Sequence, residues 1–385
     1  MFSRTTYQTR LADYCHRMGE ADIDVSVITT PESITYLAGI EIGVAEMAQY
    51  LIVSREGLHS YVTRQIEVTW QSRWEENSWC SNWIGVPDDE DFTRVVVEQI
   101  RSLSHRSRRI VLAAELERRS VSYAEIKTWA AGADACEIVS GTALAESMRV
   151  VKSEAEIALM REVCRVTAVG MDAGISSLAA GRTELEIQRD VANSLEDAGS
   201  GPLAGNWAAS GPETYRGHLS GRPRRPERGE LTTLMTSASR DRYVGPLERT
   251  VAVSTLASEP QKLLTTVRGA LKHALDRLKP GMTSHAADAL VRDFYADRGL
   301  DKFFVNRLAY SIGMAFPTAW GENEIMQLRA GDERIVKPGM TFHLVPSLHV
   351  PEIGFLQSSM PVVITEDGCE PLSEYAIDLP PVEIP

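Results

Sequence analysis

The sequence lacks any run of apolar residues long enough to cross a bilayer. A membrane-spanning helix needs about 20 consecutive, mainly apolar residues, and no stretch of this chain approaches that length. The first 18 residues are also too polar to form the apolar core of a signal peptide. We therefore expect a cytoplasmic protein that begins directly with a folded helix.

The sequence is also poor in positive charge. It carries 40 Lys and Arg against 53 Asp and Glu, which gives a net charge of −13 at pH 7. A nucleic-acid-binding protein needs a basic face, so this charge balance excludes that class of function. One basic cluster, residues 222–228, is short and interrupted by proline. We interpret it as a solvated loop rather than as a phosphate site.

Cysteine is sparse, and the five cysteines do not form a C-x-x-C pair. An odd, dispersed set is typical of reduced thiols in a reducing compartment. A nucleophilic cysteine remains an open alternative, although no single position is favoured.

The chain of 385 residues is longer than one hydrophobic core normally supports, so two domains are expected. Helical and strand-like patterns alternate in the first part of the chain, which predicts a sheet with helices packed against it. We place this smaller α/β domain at residues 1–147. The predicted elements are a helix over 6–20, a strand over 21–30, a helix beginning at Pro31, strands over 50–54 and 60–63, a helix over 91–104 and a strand over 109–114.

The pattern changes near residue 148, where a second domain, 148–385, begins. Ser153 and Glu156 have the spacing of a capping box, which predicts a long helix ending near residue 179. Thr183 and Glu186 repeat this spacing at the start of the next helix. A further helix pair is predicted over 257–298, and strands over 341–345 and 361–365.

Four segments of the second domain resemble motifs of the creatinase and proline-peptidase family. They are residues 152–161 (Lys-Ser-Glu-Ala-Glu-Ile-Ala-Leu-Met-Arg), 279–283 (Lys-Pro-Gly-Met-Thr), 337–343 (Lys-Pro-Gly-Met-Thr-Phe-His) and 363–368 (Val-Ile-Thr-Glu-Asp-Gly). The resemblance covers nearly the whole chain, the N-terminal domain more weakly, and the order and spacing of the motifs carry the fold assignment. The resemblance implies an α+β protein in which the smaller α/β domain is followed along the chain by a pita-bread domain. A pita-bread domain is a curved antiparallel sheet with two helix pairs.

Peptidases of this family bind two divalent ions through two aspartates, one histidine and two glutamates. The matching positions here are Met235, Pro246, Tyr310, Val345 and the segment 358–360. Methionine, proline and valine supply none of the charged oxygen or imidazole ligands that such ions need. We therefore predict no metal and no cofactor, and we do not expect a metallopeptidase. The resemblance then favours the metal-free branch, with ectoine hydrolase and creatinase as the nearest members.

Two residues match positions that carry the chemistry of creatinase. His218 corresponds to its acid/base histidine, and Glu248 to the glutamate that binds the cationic N–C–N group. Histidine suits the acid/base role because its ordinary pKa of about 6.5 lies near neutrality. Taken alone, each residue has a simpler interpretation, as a loop histidine and as half of a Glu248–Arg249 surface pair.

The resemblance also points to residues that contact the substrate. The segment 310–322 is more similar to ectoine hydrolase than to creatinase, and so is the segment 63–67. Two arginines with which creatinase holds a carboxylate correspond to glutamates here, so we expect a cationic or zwitterionic substrate. Trp320 offers an aromatic face to a cation, although it also suits a domain seam. The predicted substrate-binding residues are Tyr310, Trp320, Glu322, Glu46, Arg64 and Phe316.

These observations lead to one main hypothesis and two alternatives. The main hypothesis is a metal-independent hydrolase of a non-peptide C–N bond in a small amidine-like, guanidine-like or cyclic-amidine compound. The first alternative is a lyase, isomerase or cyclase that uses the same His/Glu pocket, and the second is a non-catalytic binding module. The resemblance further implies a homodimer whose pockets are completed by the partner subunit.

Overall fold

The structure is a computed structural model that describes residues 2–41, 47–104, 110–133, 136–217, 220–316, 319 and 321–385. The chain divides into two compact units, Met1–Arg149 and Val150–Pro385. Within the described ranges, no helix has the length and apolarity that a membrane crossing requires.

The first unit contains six strands and six α-helices within its described residues. The strands are β1 (Val25–Ile28), β2 (Gln49–Ser54), β3 (His59–Arg64), β4 (Trp83–Val86), β5 (Val111–Ala114) and β6 (Glu137–Ser140). The helices are α1 (Arg4–Glu20), α2 (Pro31–Ala38), α3 (Gln71–Trp74), α4 (Phe92–Leu103), α5 (Tyr123–Gly132) and α6 (Thr142–Arg149).

The six strands form one mixed sheet in the order β4-β3-β2-β1-β5-β6. The β1–β2 and β2–β3 pairs are antiparallel, whereas β3–β4, β1–β5 and β5–β6 are parallel. Val96 and Ile100 of α4 and Trp129 of α5 lie in one core cluster with buried residues of β1, β2 and β5. The α/β organisation expected for this part of the chain is confirmed.

Within its described residues, the second unit contains four long helices. They are α7 (Glu154–Ala179), α8 (Glu184–Asp197), α9 (Ser258–Arg277) and α10 (Ser284–Ala296). The first two begin where the capping boxes predicted. The Ser153 hydroxyl accepts a hydrogen bond from the Glu156 backbone N–H, while the Glu156 carboxylate accepts one from the Ser153 N–H. Because two backbone donors are satisfied reciprocally, the start of α7 is fixed by local sequence alone.

The strands of this unit are short and mostly buried. They are β7 (Gly205–Ser210), β8 (Leu231–Ser237), β9 (Ser239–Arg240), β10 (Tyr243–Val244), β11 (Leu247–Ala252), β12 (Ala309–Ser311), β13 (Gln327–Leu328), β14 (Thr341–Leu344), β15 (Ser347–Val350), β16 (Gly354–Gln357), β17 (Met360–Ile364) and β18 (Cys369–Pro371).

Each helix pair packs on its own part of the sheet structure. Helices α7 and α8 share a core with β7, β8 and β11, and α9 and α10 share one with β12, β14, β16 and β17. The main sheets have the orders β11-β8-β7 and β13-β12-β14-β17-β18, and their paired strands are antiparallel. Antiparallel sheets covered by two helix pairs confirm the predicted pita-bread fold.

Candidate functional site

The second unit contains a cavity of about 420 Å³. Strands β8, β11, β12 and β16 and the segment before β12 contribute to its walls. Its polar and apolar lining includes Met235, Glu248, Arg307, Tyr310, Phe355 and Gln357. A smaller recess of about 30 Å³ shares Met235, Glu248 and Phe355 with this cavity and adds Trp207 and Ala209. One wall of the site is therefore polar and the adjoining recess is mainly apolar.

Among the described residues that line the cavity, one is acidic, and it is Glu248. It lies on β11, and only 2% of its surface is exposed. Its Oε2 accepts a hydrogen bond from the Gln357 side-chain amide, whereas its Oε1 is buried and has no partner among the described residues. Burial raises the pKa of Glu248 to about 8, an effect that the neighbouring Arg249 opposes. The carboxyl is therefore mostly protonated at neutral pH, with an ionised fraction that can accept a proton.

Arg249 does not form the surface pair with Glu248 that the simpler interpretation suggested. Its guanidinium is buried and donates to backbone carbonyls, including those of Glu248 and Ser359. Other donations go to Tyr375 and Ala376. Arg249 thus links the C-terminal segment to β11 by hydrogen bonds, while the Glu248 side chain lines the cavity.

A hydrogen-bonded chain connects Tyr310 to the backbone of Glu248. The Tyr310 hydroxyl lies 2.7 Å from His343 Nδ1, and His343 Nε2 lies 2.6 Å from the Ser359 hydroxyl. That hydroxyl accepts a bond of 2.8 Å from the Glu248 backbone N–H. Burial, with smaller effects from Arg249 and Arg307, lowers the pKa of His343 to about 3. His343 is therefore neutral, and it holds the Tyr310 hydroxyl in place at the cavity wall.

Tyr310 itself remains protonated across the ordinary pH range. Burial raises its pKa far above the usual value, and the charge of Glu248 adds to this effect. A tyrosine that cannot ionise retains its hydroxyl proton for hydrogen bonding. Tyr310, which was matched from the sequence alone to the family's metal-binding histidine, offers a hydrogen-bonding group at the cavity wall.

The structure brings two of the predicted site residues together, because Glu248 and Tyr310 both line the cavity. Three others, His218, Trp320 and Glu46, lie outside the described residues. The proposed acid/base role of His218 therefore stays a prediction.

The remaining predicted residues are not among those that line the cavity. Glu322 is buried and forms an ion pair of 2.6 Å with Lys152, and each side chain is only 1% exposed. Phe316 is buried beneath the Arg242 guanidinium, which lies 4.3 Å from the ring centroid. Arg64, in the first unit, pairs with Asp88 through two hydrogen bonds of 2.9 and 2.8 Å.

Sequence reasoning did not identify Gln357 or Arg307 as site residues. The period of two along a strand places Phe355 and Gln357 on one face of β16, and this was the available signal for Gln357. However, no motif indicated that this face would meet Glu248. Arg307 precedes β12 by two residues, and its role depends on side chains that lie far from it in sequence.

The side chains that were matched from the sequence to the family's metal positions do not fit a dinuclear site. Met235 and Val345 line the cavity with apolar groups, and Pro246 supplies no side-chain donor. Across the parts of the chain that the structure describes, no cluster of three or more His, Cys, Asp and Glu residues is arranged to hold a metal ion. Hard divalent ions need several charged oxygen ligands or imidazoles, and this wall offers one carboxyl, which burial keeps largely neutral.

Two family models match the chain. The model described as metallopeptidase family M24 matches residues 158–366, and the creatinase/prolidase N-terminal domain matches residues 10–151. A similar relative is the Xaa-Pro dipeptidase of Pyrococcus furiosus, which is 23% identical over 261 residues, or 68% of this chain and 73% of the relative.

Solved structures with the same fold include dipeptidase PepE from Mycobacterium ulcerans. It has a TM-score of 0.85 at 22% identity, and the match covers 99% of both chains. The prolidase from Pyrococcus horikoshii OT3 has a TM-score of 0.82 at 21% identity, and covers 96% of this chain and 99% of that one. At these identities the likeness shows the fold alone.

The prediction of a metal-independent hydrolase of a non-peptide C–N bond was wrong, because the relatives are peptidases and Xaa-Pro dipeptidases. They likewise do not support a place beside ectoine hydrolase and creatinase. Glu248 was expected to bind a cationic N–C–N group. Burial raises the pKa of this carboxyl to about 8, so it is mostly neutral at pH 7. With more than half of its residues matched by the family model, and with the matching N-terminal domain before them, the chain belongs to metallopeptidase family M24.

Proposed function

We propose that the protein is a peptidase that cleaves a short peptide in the cavity of its second unit, with Glu248 transferring the proton. The observation that carries this proposal is the buried Glu248 carboxyl hydrogen-bonded to the Gln357 amide. Peptide-bond hydrolysis is the activity implied by the names of relatives such as the Xaa-Pro dipeptidase of Pyrococcus furiosus.

Glu248 has the properties that an acid/base group needs in this reaction. Its ionised form takes a proton from a water molecule as the water oxygen bonds to the peptide carbonyl carbon. The same proton then passes to the departing amide nitrogen as the C–N bond breaks, so the group returns to its starting state. A pKa near 8 suits both steps, because a group that titrates near the working pH accepts and returns protons efficiently.

Gln357 and Tyr310 supply hydrogen-bond donors for the charge that develops on the carbonyl oxygen. A glutamine amide carries two N–H groups, and the Gln357 amide donates one hydrogen bond to Glu248. The Tyr310 hydroxyl is fixed by His343 and keeps its proton. Donors that are already positioned stabilise an oxyanion without reorganisation, and losing one typically costs about 10² to 10³ in kcat.

The size and surface of the cavity favour a peptide of about two residues. Small-molecule sites commonly enclose about 300 to 1,000 Å³, and this cavity of about 420 Å³ lies toward the lower end. The recess of about 30 Å³ beside Trp207, Ala209 and Phe355 adds apolar surface but is too small for a proline ring. We propose dipeptides as the substrate class, including the Xaa-Pro dipeptides for which the Pyrococcus furiosus relative is named.

The test is a dipeptide panel incubated with the purified full chain and followed by mass spectrometry. Assays contain Mn²⁺, so that a metal-assisted activity also registers. We expect release of free amino acids, and a loss of about 10² to 10⁴ in kcat/KM for Glu248→Gln. The matched control is Glu259→Gln, an exposed glutamate in the first turn of α9, which should leave the activity unchanged.

His218→Ala is assayed in parallel, because the sequence predicts an acid/base role for His218 as well. Absence of hydrolysis across the panel, or full activity in Glu248→Gln, would overturn the proposal. An effect of His218→Ala equal to that of Glu248→Gln would assign the proton transfer to both residues.

A further inference from the structure

We infer that Arg307 is the anchor for the substrate's terminal carboxylate, which makes the cavity selective for peptides with a free C-terminus. This inference rests on the proposed function, and it adds the group that sets the substrate class. It follows from the contacts of the guanidinium, from the charge balance of the cavity wall and from the position of Arg307 beside Tyr310.

The hydrogen bonds that Arg307 makes to described residues use two of its N–H donors. Nη1 donates to Asn306 Oδ1 at 2.7 Å, and Nη2 donates to Asn323 Oδ1 at 3.1 Å. Both acceptors are neutral amides. An arginine carries five N–H donors, so three remain beyond these two bonds. Nε is one of them, and it is buried without a partner among the described residues.

Among the described residues of the cavity wall, no carboxylate forms an ion pair with this cation. Within the described ranges, Arg307 forms no ion pair with a carboxylate, whereas many other arginines of the chain do. Glu248, the acid among the described lining residues, is mostly protonated near neutrality. Burial lowers the pKa of Arg307, Tyr310 opposes this effect, and the nearby Arg329 adds to it. A half-buried, uncompensated cation gains most from a ligand that brings a negative charge.

The guanidinium is also held in a defined orientation. It lies 5.0 Å from the centroid of the Tyr310 ring, while the two asparagines hold its two terminal nitrogens. A planar fork fixed in this way matches the two oxygens of a carboxylate, and such paired, charged hydrogen bonds are strong and geometrically selective. A dipeptide bound through its carboxylate at Arg307 is thereby positioned beside Tyr310, on the same cavity wall as Glu248 and Gln357.

An arginine that only supports the wall would behave differently. Its removal would loosen Tyr310 and weaken the binding of every ligand by a similar factor. A carboxylate anchor instead affects only ligands that carry the carboxylate. The comparison between a free acid and its amide therefore separates the two roles.

The experiment compares one cleavable dipeptide with the same dipeptide amidated at its C-terminus. Both are tested with the wild-type chain and with Arg307→Met, Arg307→Lys and Arg329→Met. We expect the wild type to prefer the free acid by at least about tenfold in kcat/KM. Arg307→Met should lose about 10- to 100-fold toward the acid and stay within about twofold toward the amide. Arg307→Lys should restore part of the preference, since it keeps the charge without the planar fork.

Arg329→Met is the matched control, because Arg329 is a neighbouring cation that pairs with Asp332 and is not among the cavity-lining residues. It should keep the preference for the acid. Calorimetric binding of both peptides to Glu248→Gln gives the same comparison without turnover.

The outcomes separate this inference from the proposed function. Hydrolysis of both peptides without preference for the acid overturns the Arg307 assignment and leaves the peptidase proposal intact. An equal loss toward acid and amide in Arg307→Met likewise overturns it. Preferential binding of the acid without hydrolysis, abolished in Arg307→Met, supports the anchor and overturns the peptidase proposal. Binding of neither peptide overturns both.

Discussion

Glu248 on β11 and Gln357 on β16 are hydrogen-bonded through their side chains inside the cavity of the second unit. The amide donates to one carboxyl oxygen, and the other oxygen is left without a described partner. Because the carboxyl is buried, its proton affinity is set mainly by desolvation rather than by a nearby charge. This relationship leads to the first two predictions.

The activity should depend on pH through Glu248. If the ionised carboxyl starts the reaction, kcat/KM should rise with pH and level off above a midpoint of about 8. In Gln357→Leu the midpoint should move to higher pH, because the hydrogen bond that favours the ionised form is lost. The measurement is kcat/KM between pH 5.5 and 9.5. A flat profile in the wild type would contradict the role of Glu248.

The stability of the fold should also change with pH because of Glu248. Its pKa is about 8 in the folded chain, against an ordinary value of 4.5, so the folded state holds this proton more tightly. The resulting stabilisation is complete below about pH 4.5 and is lost as the pH rises toward 8, at no more than about 1.4 kcal/mol per pH unit. Urea unfolding of the wild type and Glu248→Gln at several pH values measures this. The wild type should lose stability relative to the variant as the pH rises, and a constant difference would contradict the raised pKa.

Tyr310→Phe should reduce both turnover and stability. It removes a hydroxyl that lies 2.7 Å from His343 Nδ1 and leaves that buried nitrogen unsatisfied. The expected cost is about 1 to 3 kcal/mol in the free energy of unfolding, together with about 10²-fold in kcat. Tyr295→Phe is the matched control, because the Tyr295 hydroxyl is buried without a partner among the described residues. Removing that hydroxyl should be neutral or stabilising.

The ion pair between Lys152 and Glu322 should contribute to stability rather than to substrate binding. Removing one charge of a buried pair typically costs about 3 to 5 kcal/mol, because the other is left uncompensated. Lys152→Met and Glu322→Gln should each show this loss, and the double variant should lose less than the sum of the two. Denaturant unfolding of the four proteins completes the cycle. Additive losses would show that the two charges are not coupled.

An exposed ion pair provides the control for this cycle. Lys272 and Asp378 form an ion pair, but their side chains are 49% and 59% exposed. Their removal should change the free energy of unfolding by less than about 1 kcal/mol. A substrate-binding role of Glu322, as predicted from the sequence, would instead appear as a change in KM in folded Glu322→Gln.

The sequence was sufficient for the elements whose signals are local. The starts of α7 and α8 follow from capping boxes within four residues, and α2 begins at Pro31 as predicted. The fold class followed from the order of the family motifs. The expected homodimer with shared pockets stays a prediction.

The candidate site could be predicted only in part, because its chemistry depends on contacts between distant segments. The sequence identified Glu248 and Tyr310, but it did not indicate that Glu248 would be buried against Gln357. The His343–Ser359 contact depends on the register of β14 and β17, in which His343 is paired with Pro361. A change of one residue in that register would turn the side chains to the other face. The loss of the family's metal ligands stays a prediction from the sequence, and the inference from it to a non-peptide substrate was wrong.

The buried pair of Lys152 and Glu322 also bears on how the second unit folds. The two residues are 170 positions apart, one directly before α7 and the other in the segment after β12. The pair is also tightly enclosed, because the nearest Glu322 carboxylate atoms lie 2.7 Å from the place that a Cβ at Gly313 would occupy. Since Lys152 pairs with Glu322, the N-terminal end of α7 cannot reach its final surroundings during synthesis until residue 322 has left the ribosome. A fragment that stops before this point would bury an ammonium group without its counter-charge, so the unit should assemble late and as a whole.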